Sequence, residues 1–333
     1  MKLHIAHLFA CVIVGLAASP GAQAQWHASA GAQNANLGHQ ALAFLPNELW
    51  IHAGDSVTWT FAADEIHTVS FMITDQVRPL FFLGCGNGPP PGATPDGSPF
   101  DGSLCVNSGP SVSGQSYTVN FPTAGNYKLV CLVHEGMTGT VHVLDPSLPL
   151  PHDQAYYDRV AAATRHDLLA DRHDNRSDND GAMNDADESR GQQREVTAGG
   201  GSISATPGGQ QAVSVMRFMQ SRVEIRAGGT VEWNNVDPAT PHTITFGTEP
   251  DNPAIPVNVT PDADGGLSAT ITSPSDSANS GLIVASGLER VGVAVASLNP
   301  THFRVTFPHA GTYPYKCALH DNLGMKGVVV VRP

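Results

Sequence analysis

The chain has 333 residues, 41 % of them hydrophobic, enough to build packed cores and to exclude a wholly disordered polypeptide. Only 14 % are charged, and there are 34 Gly and 25 Pro, a balance that favours strands and turns over helical bundles. Lys and Arg number 17 against 30 Asp and Glu, a formal charge of −13, so the basic footprint of a nucleic-acid binder is missing.

At the start of the chain, Lys2 precedes an apolar run from Ile5 to Ala18, and a polar stretch then ends in Ala22-Gln23-Ala24. This is the pattern of a secretory signal peptide over residues 1–24, cleaved after Ala24. The apolar run is shorter than the roughly 20 residues a spanning helix needs, and no later segment is apolar for long enough to span a membrane. The expected location is therefore periplasmic or secreted. Export to an oxidising compartment makes the cysteines readable: with Cys11 in the leader, Cys85, Cys105, Cys131 and Cys317 remain.

Residues 25–145 read as one domain and 206–333 as a second, because the chain repeats itself. Ile51-His-Ala-Gly-Asp-Ser-Val-Thr-Trp59 returns as Ile225-Arg-Ala-Gly-Gly-Thr-Val-Glu-Trp233. His67-Thr-Val-Ser-Phe71 returns as His242-Thr-Ile-Thr-Phe246, and Phe121-Pro-Thr-Ala-Gly-Asn-Tyr127 as Phe307-Pro-His-Ala-Gly-Thr-Tyr313. A period this long is a tandem domain duplication, not a solenoid. Within each copy Val57, Trp59 and Phe61, or Phe303, Val305 and Phe307, alternate with polar residues, the signal of half-buried strands. Short strands punctuated by Ala-Gly turns predict β-sandwiches.

Residues 146–205 read as an acidic linker. Asp153 is placed to cap a helix with Tyr157, Val160, Ala161, Thr164 and Leu168 on one face. From Asp171 to Gly201 the composition is polar with little to bury, the mark of a flexible tether. Charge is uneven: residues 25–145 carry 9 acids and 2 bases, residues 201–333 carry 10 and 8.

Each copy places a His after a central strand, then a Cys, a His and a Met in one late loop. The first set is His67, Cys131, His134 and Met137; the second is His242, Cys317, His320 and Met325. Two imidazoles and a thiolate with a weak axial thioether form the blue-copper donor set. Thiolate suits Cu(I), imidazole suits both oxidation states, and a weak axial ligand lets one electron arrive with little rearrangement.

With these residues in place the chain resembles the cupredoxins of the plastocyanin/azurin family. Tyr313-Pro-Tyr-Lys-Cys317-Ala-Leu-His320 leading to Gly324-Met325 is similar to the plastocyanin ligand loop, and the shorter Cys131-Leu-Val-His134-Glu-Gly-Met137 to the amicyanin-type loop. The resemblance implies an all-β protein: two cupredoxin-type Greek-key β-sandwiches joined by a partly helical, largely disordered linker. It implies two type 1 copper ions, one per domain, and puts His134 and His320 near the surface, where each would pass electrons to a docked partner. It departs from the plastocyanin pattern at Thr68 and Thr243, which follow the first ligand His where Asn is usual.

Cys85 and Cys105 flank a Gly/Pro-rich insertion, 86–104, seen only in the first copy. They read as a disulfide worth about 3 kcal/mol by loop entropy, with two free thiols as the other reading. The second copy has its own insertion, 247–300, with no role assigned. Multicopper oxidases and copper nitrite reductases need further ligands, such as His-x-His pairs or a His before the Cys. No two histidines here are two apart, and Val130 and Lys316 precede the ligand cysteines. The reading is thus an electron carrier and not an enzyme, with redox proteins such as a cytochrome or copper enzyme as partners. The alternative is copper handling or tolerance without a redox partner.

Overall fold

A computed structural model describes residues 23–79, 84–85, 92–170, 193–287 and 299–333. Residues 1–22 of the expected leader and 171–192 of the expected linker lie outside the described residues, and β1 begins at Gln25, directly after the expected cleavage point. No helix among the described residues is long and apolar enough to cross a membrane.

The first copy runs β1 Gln25–Gln33, β2 His39–Leu45, β3 Glu48–His52, β4 Ser56–Phe61, β5 Ser70–Phe71, β6 Ser98–Pro99, β7 Val106–Asn107, β8 Ser116–Asn120, β9 Gly125–Val130 and β10 Thr138–Leu144. Helix α1, Gln154–Leu169, follows. The second copy runs β11 Gln193–Thr206, β12 Gly209–Met219, β13 Arg222–Arg226, β14 Gly229–Asn235, β15 Thr245–Phe246, β16 Thr260–Pro261, β17 Leu267–Thr270, β18 Ala278–Asn279, β19 His302–Phe307, β20 Gly311–Lys316 and β21 Lys326–Arg332.

Each copy is a β-sandwich, and period-two patterning decides which side chains fill it. In β4, Val57, Trp59 and Phe61 point inward while Ser56, Thr58 and Thr60 do not; in β19, Phe303, Val305 and Phe307 do the same. Trp59 and Trp233 sit fully buried at the two centres. One inner sheet has the order β3-β10-β9-β5-β7, its counterpart β13-β21-β20-β15-β18. The two outer sheets are one continuous sheet of eleven strands, β16-β17-β19-β14-β11-β12-β2-β1-β4-β8-β6.

The join is the antiparallel pair β2–β12, with Ala41 opposite Val213, Gln40 opposite Ser214 and His39 opposite Val215. Phe44 pairs with Ala30 in the first copy and Phe218 with Ala198 in the second, so Gln40 and Ser214 are equivalent residues facing each other. The copies are therefore related by an approximate two-fold axis through that pair. They are not beads on a tether. The β11–β12 hairpin is longer than β1–β2 and reaches across: Asn47 Nδ2 donates to Thr206 Oγ1 at 2.6 Å, Thr140 Oγ1 to the Gly208 carbonyl at 2.8 Å, and the Gln210 amide to Thr138 Oγ1 at 2.8 Å. Arg217 answers from the other side, donating to the carbonyls of Asn36 and Leu323.

The stretch 193–205, read from sequence as linker, is strand β11. It pairs in parallel with β14, as β1 does with β4, and buries Val196 and Ala198 in the second core. The glycines at 199–201 hide its alternation. The insertion 86–104 ends just before β7, which pairs with β5 through Asn107, whereas 247–300 contains the equivalent strand β18, paired with β15 through Asn279. Their lengths and compositions differ too much for the sequence repeat to show this equivalence. Cys85 and Cys105 form the disulfide, with Cα atoms 5.6 Å apart.

Asp153 caps α1, its Oδ1 accepting the Tyr156 amide at 2.9 Å. Tyr157 is buried, and its hydroxyl accepts from the Trp50 amide at 2.8 Å. Ala161, Leu168 and Leu169 pack on Ala41, Ala43 and Leu45. Strand β2 is consequently covered on both faces, by the first core through Leu42 and Phe44 and by α1 on the other side.

Candidate metal centres

The strand ends deliver the ligand residues. His67 lies between β4 and β5, fixed by reciprocal amide–carbonyl bonds with Ser111 at 2.9 Å. Cys131 follows the last residue of β9, and Met137 precedes the first of β10. The intervening loop closes on itself, the Cys131 amide donating to the Met137 carbonyl at 3.0 Å. His242 is paired with Ile283 in the same manner, and Cys317 and Met325 bracket the loop between β20 and β21, closed by a 3.0 Å bond from the Cys317 amide to the Met325 carbonyl.

In each copy one sulfur and two imidazole nitrogens converge, all within 4.8 Å of one another and all buried. Sγ of Cys131 is 3.8 Å from His134 Nδ1; Sγ of Cys317 is 3.3 Å from His320 Nδ1 and 3.9 Å from His242 Nδ1. Met137 and Met325 are fully buried at the ends of these loops. Neither ring nitrogen of His67 has a hydrogen-bond partner. A buried imidazole without a proton partner in the first copy, and two Nδ1 atoms facing each other at 3.1 Å beside a buried thiol in the second, are what a bound cation would satisfy, so the donor sets fit a soft metal ion.

Electrostatics agree. Burial pushes the Cys131 thiol up, but the imidazoles of His134 and His67 outweigh it and hold the thiol well below its ordinary value. Burial likewise opposes ionisation of Cys317, and the charge of His320 with the His242 ring overcomes it. Burial pulls His134 down while Cys131 and Glu65 lift it to about 9. Each thiol is therefore shifted toward the thiolate, the form that ligates.

The surroundings repeat in both copies. The Thr68 amide points at Cys131 Sγ at 3.4 Å and the Thr243 amide at Cys317 Sγ at 3.3 Å. Thr68 Oγ1 accepts from the Leu132 amide at 2.7 Å, and Thr243 Oγ1 from the Ala318 amide at 2.8 Å. Threonine at the position usually Asn thus ties the His-bearing strand to the Cys-bearing loop. Ser70 and Thr245 extend the ties to Asn107 and Asn279.

Three features escaped the sequence reading. Gly31 and Gly199, both at φ +73°, form bulges in β1 and β11 and lie against Nε2 of His67 and His242, where any Cβ would overlap the ring. Asp237 is fully buried with Oδ2 3.5 Å from His242 Nε2, and neither atom has a hydrogen-bond partner elsewhere. Glu65 lies between the copies, Oε1 3.3 Å from His134 Nε2 and Oε2 3.4 Å from His320 Nε2. Burial works against its charge, yet His320 and His134 hold its pKa well below the usual carboxylate range. The only signal for Glu65 in the sequence was an acid two residues before a ligand His.

Glu65 also corrects an expectation. His134 and His320, expected near the surface, are 1 % and 3 % exposed: Glu65 of the first copy lies against both rings, and Ile203 of the second copy lies against Gly136 of the first ligand loop.

A buried cysteine sulfur with two imidazoles at one end of a β-sandwich is the donor set of a mononuclear copper site. The profile of the copper-binding proteins of the plastocyanin/azurin family matches residues 32–144 and 205–332. A chloroplastic plastocyanin of Tetradesmus obliquus is 38 % identical over 119 residues, 34 % of this chain and 69 % of that protein. A plastocyanin of Scenedesmus fuscus is 32 % identical over 105 residues, 31 % of this chain and 88 % of that protein. Among solved structures, a reduced mutant amicyanin aligns with 36 % of this chain and 82 % of its own at 21 % identity and a TM-score of 0.24. The chain belongs to the plastocyanin/azurin family, and its two His/Cys/His sites, one per copy, fit two copper ions.

Proposed function

We propose that the protein is a one-electron carrier with two type 1 copper sites, and not an enzyme. His67, Cys131 and His134, with Met137 as a weak fourth donor, would hold the first ion; His242, Cys317 and His320, with Met325, would hold the second. The observation that carries this reading is the pair of buried thiol–imidazole clusters, each locked into a loop closed by its own backbone. Bound copper supplies the one-electron couple. The chain's residues hold the donor atoms at fixed places, exclude water and keep the thiols ionised. The leader-like start supports secretion to the periplasm or beyond, and the redox partner would be a cytochrome or a copper enzyme.

The test is the visible spectrum of copper-loaded protein with its copper content. Wild type is expected to bind two coppers with an intense thiolate-to-copper band. Cys131→Ser and Cys317→Ser are each expected to lose one copper and its share of the band. Copper bound without an intense band would sink the electron-carrier reading and leave copper handling in its place.

The sites are expected to differ in potential. Asp237 stands behind His242, and among the described residues neither ring nitrogen of His67 has a hydrogen-bond partner. A carboxylate on the distal nitrogen makes the imidazole a stronger donor and favours the oxidised ion. Asp237→Asn keeps the carbonyl that accepts from Ala239 and Thr240 but removes the charge. A change of 10–100-fold in affinity for the oxidised ion corresponds to about 60–120 mV, so the second site's potential should rise by about that much. Redox titration of the variant checks this; an unmoved second potential would refute it.

A further inference from the structure

Glu65 has no counterpart in the second copy. It stands two residues before His67, and the residue two before His242 is Thr240. Thr240 turns away, its hydroxyl 2.9 Å from Ser214 Oγ. The axis through Gln40 and Ser214 relates these positions. A carboxylate at 240 reaching for the same two rings would meet that of Glu65, and two like charges in a buried space cannot both persist. The single carboxylate is kept although burial opposes it, at 7 % exposure, where an apolar residue would avoid the desolvation cost.

We propose that Glu65 couples the two metal sites into one redox unit, its carboxylate joining Nε2–H of His134 to Nε2–H of His320 so that an electron passes between the sites within one chain. The inference rests on the reading of both clusters as redox-active copper sites. Each ring turns Nδ1 toward its own cysteine and Nε2 toward Glu65. The path from one Nδ1 to the other is covalent except at two contacts, 3.3 and 3.4 Å long. In the exchange the donor centre is oxidised by one electron and the acceptor centre reduced by one. Both imidazole protons stay on Nε2, and no external reductant is consumed. Glu65 is a positioning residue: it lies in ion-pair contact with two ligand rings and is itself neither oxidised nor reduced.

The test uses the full-length, two-copper protein brought to half-reduction, with electron exchange between its one-electron forms read from proton NMR line shapes at several protein concentrations. In wild type the exchange rate is expected to be independent of concentration. Glu65→Gln presents an amide NH₂ to one of the two N–H groups and breaks the bridge there. Its exchange rate should fall about tenfold or more, with both visible bands retained. Glu65→Asp, which keeps the charge but is shorter, should fall between the two. Independently of electron transfer, the fully reduced wild type should show slowly exchanging Nε2–H signals for both His134 and His320, and Glu65→Gln should lose one of them. An exchange rate proportional to protein concentration in wild type, or an unchanged rate in Glu65→Gln, would overturn the coupling while leaving the copper sites standing. Failure to bind copper with an intense band would overturn both.

Discussion

Gly199→Ala is expected to empty the second copper site and leave the first one loaded. Gly199 is the bulge residue of β11, at φ +73°, and its missing Cβ is the space that His242 occupies. An alanine there faces two separate penalties. A left-handed backbone costs an L residue about 1–2 kcal/mol, and forcing a methyl into a filled core costs about 1–3 kcal/mol more. The cheapest relief is displacement of the His242 ring, which breaks its approach to Cys317 and its contact with Asp237. The expected result is a loss of about 2–5 kcal/mol in stability with one copper and one share of the visible band gone. Gly31→Ala should do the same to the first site through His67. A Gly199→Ala protein with two coppers, an unaltered spectrum and wild-type melting would show that the bulge does not hold the ligand.

Val213→Pro is expected to part the two copies without dissolving either core. Val213 is paired on one side with Ser202 and on the other with Ala41, so its amide lies inside the ladder whichever neighbour it faces. Proline removes that donor and belongs on edge strands only. The lost bond and the carbonyl left without a partner together cost about 2–4 kcal/mol. Each copy keeps its own cluster of buried aromatics, around Trp59 and around Trp233. The melting transition should therefore split in two, and pulsed EPR between the oxidised coppers should give a broad distance distribution in place of a narrow one. Val213→Ala, which keeps the N–H, should leave both measurements near wild type. A narrow, unshifted distance in the proline variant would mean that β2–β12 pairing does not set the arrangement.

The candidate metal ligands were the most legible part of the chain because coordination demands particular atoms. Thiol, imidazole and thioether cannot be exchanged for similar residues, and a duplicated Cys-x-x-His leaves little room for coincidence. The sandwiches were legible for the same reason that they fold: Val57, Trp59 and Phe61 alternate because a half-buried strand requires it. What stayed hidden depends on contacts between distant segments. Strand β2, His39–Leu45, is buried at every residue and so shows no alternation. Its small residues Ala41 and Ala43 make room for a helix more than a hundred positions later, a fact with no local signature. Glu65 is one acid among 30, and only the packing of one copy on the other gives it two histidines. Gly31 and Gly199 were two of 34 glycines until the bulges placed them against ligand rings.

The burial of His134 and His320 bears on how copper gets in and out. All six His and Cys residues of the two clusters are no more than 3 % exposed, and each ligand loop is touched by the opposite copy, the first by Ile203 at Gly136 and the second by Glu65 at His320. A chelator or a donor cannot touch either sulfur while the strands β2 and β12 remain zipped and both loops stay closed. Exchange is then governed by how often the protein opens, and a stronger chelator would remove copper no faster than a weaker one once both outpace reclosing. Copper would be lost at the pace of local unfolding, and the two ions would leave at linked rates because one opening event uncovers both.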